Sequence, residues 1–419
     1  MTAARPAARR RVLALAQSAV AGDARVLREA EALATAGYEV HIIGRGVPPG
    51  FEPPAGVGVD SVGRSAGLRP GAAAPGSAPR PAQGRPGLAA ARWLLLPEHR
   101  ARVEGAWRAA AAGRIEAYLA SGPPDVVHAH DFNTLEVAAG VADRTRAALV
   151  YDAHELWAGR AVVGRPDPVR RRRDARREDA LLARADLVLT VSEGIAERLL
   201  ARGARRVAVV RNSFPARPGS SPLPGRPSGL VYAGRIGPGR DLETLAAAAP
   251  ALAAIGVRPV VVGPPDASYL THYRARSAMR GRRGAGGDLD LRPVTLPLDE
   301  VDEVYRSAGL AVVTLDGSCD NHRLALPNKL FHAIRAGVPV VAADLPELAR
   351  VVTEDRLGAT YRPGDAASLA RAVAGVVERY PDAVAAVATA QDRYRWEHDA
   401  AVLTGAYAAL PVATPSGAV

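Results

Sequence analysis

The segment Leu326-Pro327-Asn328-Lys329 opens an amphipathic run that stops at Gly337, and it places the only lysine of the chain in the first turn of an expected helix. A cation there opposes the positive end of the helix dipole. The placement makes sense if an anion docks at the same point, because helix N-termini bind phosphate through free N–H groups. Pro327 pre-sets the first turn, and Gly337 ends the helix. His332 falls one turn beyond Asn328 and Lys329, where it can face the same ligand. A second basic group, Gly234-Arg235-Ile-Gly-Pro-Gly-Arg240, follows an expected strand. Gly234 lets the backbone approach a ligand closely, and Arg235 and Arg240 offer guanidinium forks to a pair of phosphates.

Two further clusters follow strands of the first half. Asp125-Val-Val-His128-Ala-His130-Asp131 ends one strand, and Tyr151-Asp152-Ala-His154-Glu155-Leu-Trp157 follows the next. Ligands of open parallel sheets sit beyond such strand ends. Alternation puts His128 and His130 on one face, and His130 at the strand tip is expected to face the cleft and act there. His128, Asp131, His154 and Glu155 are candidate contacts to a sugar or an acceptor. Histidine with carboxylate suits zinc or iron, but the spacing matches no ligand motif and no metal is expected.

These clusters need a scaffold that ends several strands along one edge. Strand-like and helix-like runs alternate, which predicts two doubly wound α/β domains. The first half reads as strands 11–16, 39–43, 125–130, 147–151, 186–191 and 206–210 with helices between them. The second reads as strands 229–233, 257–262, 292–296, 309–315 and 338–342, with a helix over 266–280. The expected domains are 1–213 and 229–382, joined by a Pro/Gly-rich linker at 214–228. Residues 45–91, crowded with Gly, Pro, Ala and Arg, read as a mobile insertion. Residues 383–419 read as a helix and short tail, with Trp396 and Tyr407 available to pack back onto the first domain. Neither half carries G-x-G-x-x-G after its first strand, which argues against a dinucleotide dehydrogenase.

Composition narrows the class. The 419 residues are 48% apolar and 23% charged, which is globular composition, and the single cysteine excludes a disulfide framework. A net charge of +11 favours anionic ligands, although the strong preference for Arg over Lys also reflects codon bias. Aromatic content is only 5% and no recognition motif is present, which argues against nucleic acid. No run approaches the ~18 uncharged apolar residues of a membrane span. Arg9 to Arg11 and the apolar run after them mimic a secretory leader, but Gln17 and Ser18 break the run, so it reads as a first strand. The expected location is the cytoplasm. The basic run Arg170 to Arg173 with Arg176 and Arg177 suggests peripheral contact with an anionic membrane.

DVVHAHD, LVYDAHELW, the AGR of Ala233 to Arg235, LPNKLFHAIRAGVPVV and the DLPEL of Asp344 to Leu348 together resemble glycosyltransferase family 4. The resemblance runs from residue 11 to about 410, apart from 45–91. It implies a GT-B fold of two Rossmann-like domains facing across a cleft, with a final helix crossing back to the first domain. It also implies retaining transfer from a nucleoside-diphosphate sugar to a hydroxyl on a glycan, glycolipid or small molecule, without a metal or other cofactor. His130 matches the family histidine near the donor sugar, and Arg235 the arginine that binds the diphosphate. Arg240 takes the place of the usual lysine partner. One departure is that, of the family's frequent pair of glutamates, His332 stands at the second, which typically holds the ribose hydroxyls, and Leu324 at the first. That departure leaves two other readings: a nucleotide-sugar-binding subunit with little catalysis, and a GT-B sugar-nucleotide epimerase.

Overall fold

The structure is a computed structural model, and it describes residues 9–62, 97–160, 168–217, 219, 222–271, 273, 274 and 289–411. Strands β1 (Arg11–Ala19), β2 (Glu39–Arg45), β3 (Val57–Ser61), β4 (Val126–His130), β5 (Ala148–Ala153), β6 (Leu187–Thr190) and β7 (Val207–Val209) form the first sheet. Its order is β3-β2-β1-β4-β5-β6-β7. Strands β8 (Gly229–Ala233), β9 (Arg258–Val262), β10 (Asp290–Arg292), β11 (Gly309–Val313), β12 (Val340–Ala343) and β13 (Gly358–Tyr361) form the second, in the order β10-β9-β8-β11-β12-β13. Every strand pair is parallel. The central strands β4, β5, β6, β8, β11 and β12 are buried along their whole length, as expected of strands covered by helices on both faces.

In both sheets the order turns outward from the first strand. The carboxyl ends of β1 and β4, and of β8 and β11, therefore flank a switch point where ligands bind. The helix Ala24–Thr35 starts there because the Asp23 carboxylate accepts the N–H groups of Arg25 and Val26. On the other side the helix Asn328–Ala336 follows Pro327 and stops at Gly337, whose φ of 76° is the left-handed conformation that glycine adopts without strain.

Three expectations change. The stretch 45–91 contributes β3, which pairs with β2 as the sheet edge, and the remainder from 63 lies outside the described residues. The expected strand 292–296 is short and early, at Asp290–Arg292, and of the helix expected over 266–280 the part from 275 lies outside the described residues. The single helix expected after 383 is two helices. Tyr380–Ala390 packs Val387 and Ala390 into the second domain's core. Trp396–Ala408 packs Trp396, Leu403, Ala406 and Tyr407 into the first domain's core. The crossing lies beside the linker, where Trp396 N–H donates to the Phe214 carbonyl at 2.9 Å.

Candidate functional site

A cleft of about 690 Å³ opens between the carboxyl ends of the two sheets. Gly234, Arg235, Arg240, Pro327, Asn328, Lys329 and His332 line it from the second domain, and Asp131, His154 and Glu155 from the first. Ten of the twelve expected site residues thus meet at one place, while His128 and His130 do not line it.

On the second domain, close backbone approach shapes the floor. A Cβ on Gly263 would stand 2.0 Å from the Gly234 carbonyl oxygen, so the loops after β8 and β9 touch only because that residue is glycine. The same approach lays Lys329 alongside Gly234, whose own Cβ would meet the lysine side chain at 3.2 Å. Lys329 is buried, with Nζ 4.9 Å from the centre of the Tyr232 ring, and it makes no hydrogen bond or ion pair among the described residues. Burial first, and Arg240 second, bring its ammonium down to about 7. Arg240 is half-buried at the cleft wall, and its carbonyl accepts the Thr314 hydroxyl. Arg235 is exposed and paired at 3.2 Å with Asp266. His332 stacks on Phe214 with ring centres 4.0 Å apart, and its Nε2 is buried without a partner. Burial and then Arg335 hold that imidazole neutral, at about 3.

On the first domain, Asp152 at the end of β5 organises a buried network. Arg25 grips its two oxygens from Nε and Nη2 at 2.9 and 2.6 Å, while His130 Nδ1 and His154 Nε2 lie 3.1 and 2.5 Å from Oδ2. Although burial opposes it, Asp152 and then Asp131 hold His154 protonated, at about 9. His154 is the member of this network that reaches the cleft wall. Asp131 follows β4 with φ 64°, an uncommon backbone for aspartate, at the start of the helix Phe132–Thr145. Glu155 is exposed and paired with Arg160.

His130 corrects the expectation of a cleft-facing side chain. It is 3% exposed, bonded to Asp152, and stacked on His128 with ring centres 4.1 Å apart. His128, also expected near a substrate, is 1% exposed and lies under the last helix, its Nδ1 2.6 Å from the Tyr407 hydroxyl. The reason is β4 itself. It is a central strand, so alternation points both rings into the covered face and only the residue after the strand, Asp131, emerges.

Glu29, His128, His130 and Asp152 offer ligand atoms within 4.8 Å of one another. Arg25 lies between the two carboxylates, 2.6 Å from Asp152 and 2.9 Å from Glu29, and burial, opposed by Arg25, raises Glu29 to about 7, so the cluster is a buried Arg25–Asp152 ion pair with a weakly acidic Glu29 beside it.

Sequence reading passed over several residues here. Asp152 lies within a run singled out for its neighbours, and Arg25 and Arg28 sit one turn apart on the first helix. Asn212, Phe214 and His322 also line the cleft. Asn321 bridges the domains by accepting the Leu156 N–H at 2.8 Å. The Leu324 carbonyl accepts the Ser192 hydroxyl at 2.6 Å across the same junction, and its side chain packs against the first domain's core. A glutamate at position 324 would have to leave that packing to reach a ligand.

The family description "Glycosyl transferase 4-like domain" matches residues 21–213, and "Glycosyl transferases group 1" matches residues 227–379. The chain is 29% identical over 324 residues to a D-inositol 3-phosphate glycosyltransferase of Nocardioides sp. strain JS614, covering 68% of each chain. It is 27% identical over 312 residues to the protein of that name in Mycolicibacterium smegmatis, covering 70% of this chain and 69% of the other. Among solved structures it is similar to sucrose-phosphate synthase of Thermosynechococcus elongatus, with TM-score 0.65 and 17% identity over 96% of this chain and 98% of that one. It is also similar to Anabaena HepE in complex with UDP-glucose, with TM-score 0.64 and 16% identity over 96% and 100%.

Proposed function

The chain belongs to glycosyltransferase family 4, has the GT-B fold and transfers sugar from a nucleotide sugar, and we propose that transfer proceeds with retention and without a metal. The observation that carries donor binding is Lys329, a buried amine with no counter-charge among the described residues, set near Arg240 at the start of a helix. Lys329, Arg240 and the start of the helix Asn328–Ala336 border one cleft, and the charge of a nucleoside diphosphate is complementary to all three.

As the glycosidic bond breaks, charge grows on the departing diphosphate. Lys329, Arg240 and the helix N–H groups meet that charge where it develops, without rearranging. Arg235 stays solvated and reaches the diphosphate by leaving Asp266. The acceptor hydroxyl enters on the face that the diphosphate leaves, which retains configuration, and its proton passes to the departing phosphate oxygen. Protonated His154 faces this space from the first domain and holds sugar or acceptor oxygens. His130 acts through Asp152 and His154 as a positioning residue. His332 Nε2 offers a ribose hydroxyl one hydrogen bond in place of the two acceptor oxygens of a glutamate. The acceptor is a hydroxyl of a sugar, lipid or small molecule, and the site of action is the cytoplasm or the inner membrane face.

A thermal-shift panel of UDP, GDP, ADP and dTDP sugars tests the donor, since a bound ligand raises the melting temperature by mass action. One nucleotide series should stand out, and proton NMR of the product should show the anomeric configuration of the donor. Product of inverted configuration would reject the retaining reading.

A further inference from the structure

Binding and release of the diphosphate leave one acid–imidazole pair of the donor cleft unused. Asp316 follows β11, and His322 lies in the short helix Asp320–Leu324. His322 Nδ1 stands 2.8 Å from Asp316 Oδ1, and the same oxygen accepts the Ser318 N–H at 3.0 Å. Burial opposes ionisation of Asp316, but the hydrogen bonds from Ser318 and His322 hold it below the usual carboxylate range. An ionised carboxylate can only accept, so Nδ1 carries a proton and donates. The other ring nitrogen, Nε2, makes no hydrogen bond or ion pair among the described residues. The side chain keeps 15% of its surface open and lines the cleft, so Nε2 is available to a ligand there.

Two sets of contacts fix where that nitrogen lies. Asp316 N–H donates to the Gly239 carbonyl at 3.3 Å, and the Thr314 hydroxyl donates to the carbonyl of Arg240. Gly239 has φ 76°, and a Cβ there would stand 3.0 Å from His322 Cε1, so the ring rests on the backbone one residue before Arg240. On its other side the same short helix holds the first domain. Asn321 accepts the Leu156 N–H, and the Leu324 carbonyl accepts the Ser192 hydroxyl. A sugar on its way to an acceptor lies between the diphosphate and the first domain, and His322 stands between Arg240 and the contact with that domain. The pair is matched to a hydroxyl and not to a phosphate. Ionised Asp316 cancels the charge of a protonated His322, so the pair adds no net positive potential, whereas a hydroxyl both donates and accepts and bonds Nε2 in either state.

We propose that His322 determines specificity for the transferred sugar: its Nε2 hydrogen-bonds one ring hydroxyl of the donor, and Asp316 is the positioning residue that fixes the tautomer and plane of the imidazole. The inference rests on the cleft being the donor site. A site built to bond a hydroxyl rejects a sugar that lacks it, because its own polar group is then left unpaired. The donor is accordingly a sugar hydroxylated at the carbon that faces His322.

The experiment is calorimetric titration of the full chain, wild type and His322→Ala. The probes are UDP-glucose, UDP-galactose, GDP-mannose, ADP-glucose and dTDP-glucose, each beside its own nucleoside diphosphate. The sugar nucleotide that binds wild type most tightly should bind His322→Ala about fivefold or more weakly, the scale of one hydrogen bond. The matching nucleoside diphosphate, which lacks the sugar, should bind the two proteins within twofold. His322→Gln, whose amide can still bond a hydroxyl, should recover part of the loss, and Asp316→Asn, which frees the other tautomer, should reproduce part of it. Equal losses for the sugar nucleotide and the bare diphosphate overturn the proposal, because a merely structural role moves both together. An unchanged affinity for both overturns it as well. Should His322→Ala not fold, His322→Phe keeps the ring and removes its nitrogens, and the same two results are read from it. Failure of every nucleoside diphosphate to bind wild type would instead reject the donor reading.

Discussion

Lys329 is buried beside Arg240 at a helix N-terminus, and burial and Arg240 bring its ammonium from an ordinary 10.5 down to about 7. The folded state therefore binds fewer protons than the unfolded chain between these values. Stability falls as pH drops from about 10.5 toward 7 and is flat below. Lys329→Met keeps the volume and removes the charge. It should stabilise the unliganded protein by about 1–4 kcal/mol at pH 6, with the gain shrinking as pH rises toward 10, in urea unfolding at several pH values. Such a gain marks a residue kept for binding and not for folding. His130 behaves in the opposite sense. It is enclosed between His128 and Asp152, so His130→Ala should lower stability by about 2–4 kcal/mol and leave UDP affinity within twofold. A mutant with unchanged melting and a hundredfold loss of turnover would return His130 to the cleft.

At the scale of elements, the last helix is tied to the first domain and to the chain just before the linker. Tyr407 reaches from it to His128 on β4, and Asp399 takes the Ser213 hydroxyl and Arg211 at the linker. Tyr407→Phe leaves the ring in the core and removes one buried hydrogen bond. It should cost about 0.5–1.5 kcal/mol in thermal unfolding, with no change in nucleotide affinity. The buried strands were legible because a parallel strand covered on both faces reads as an apolar run, as Leu230 to Ala233 and Val340 to Ala343 do. β3 was not, because Val-Gly-Val-Asp-Ser on a half-covered edge lacks that run and adjoins Gly/Pro-rich chain. The break between the last two helices was missed because no glycine or proline marks residues 391–395. The second domain's anion site was readable because Pro327, Lys329 and Gly337 carry their helix positions in their residue types. The first domain's was not, because Arg25, Asp152 and His154 meet only through the crossing of β5 and the first helix, and alternation alone cannot say which face of β4 is covered.

At the scale of the molecule, the chain carries a formal charge of +11, and no helix among the described residues is long and apolar enough to cross a membrane. The helix Pro168–Leu182 presents exposed Val169 together with exposed Arg171, Arg172 and Arg173 on the first domain. Vesicles rich in anionic lipid should sediment the protein at low salt and release it as ionic strength rises, while neutral vesicles should not. Failure to sediment at low salt would confine the acceptor to solution. Across the cleft, the Asn321–Leu156 and Leu324–Ser192 hydrogen bonds hold the domains so that both walls face one donor. The account as a whole turns on that donor's diphosphate resting at Lys329. Calorimetric titration of the cognate nucleoside diphosphate into wild-type protein and Lys329→Met tests this most directly. The predicted result is a loss of about 1.5–3 kcal/mol in binding, roughly ten- to a hundredfold in affinity, in a variant that melts no lower than wild type. Equal affinity in the two proteins would contradict it.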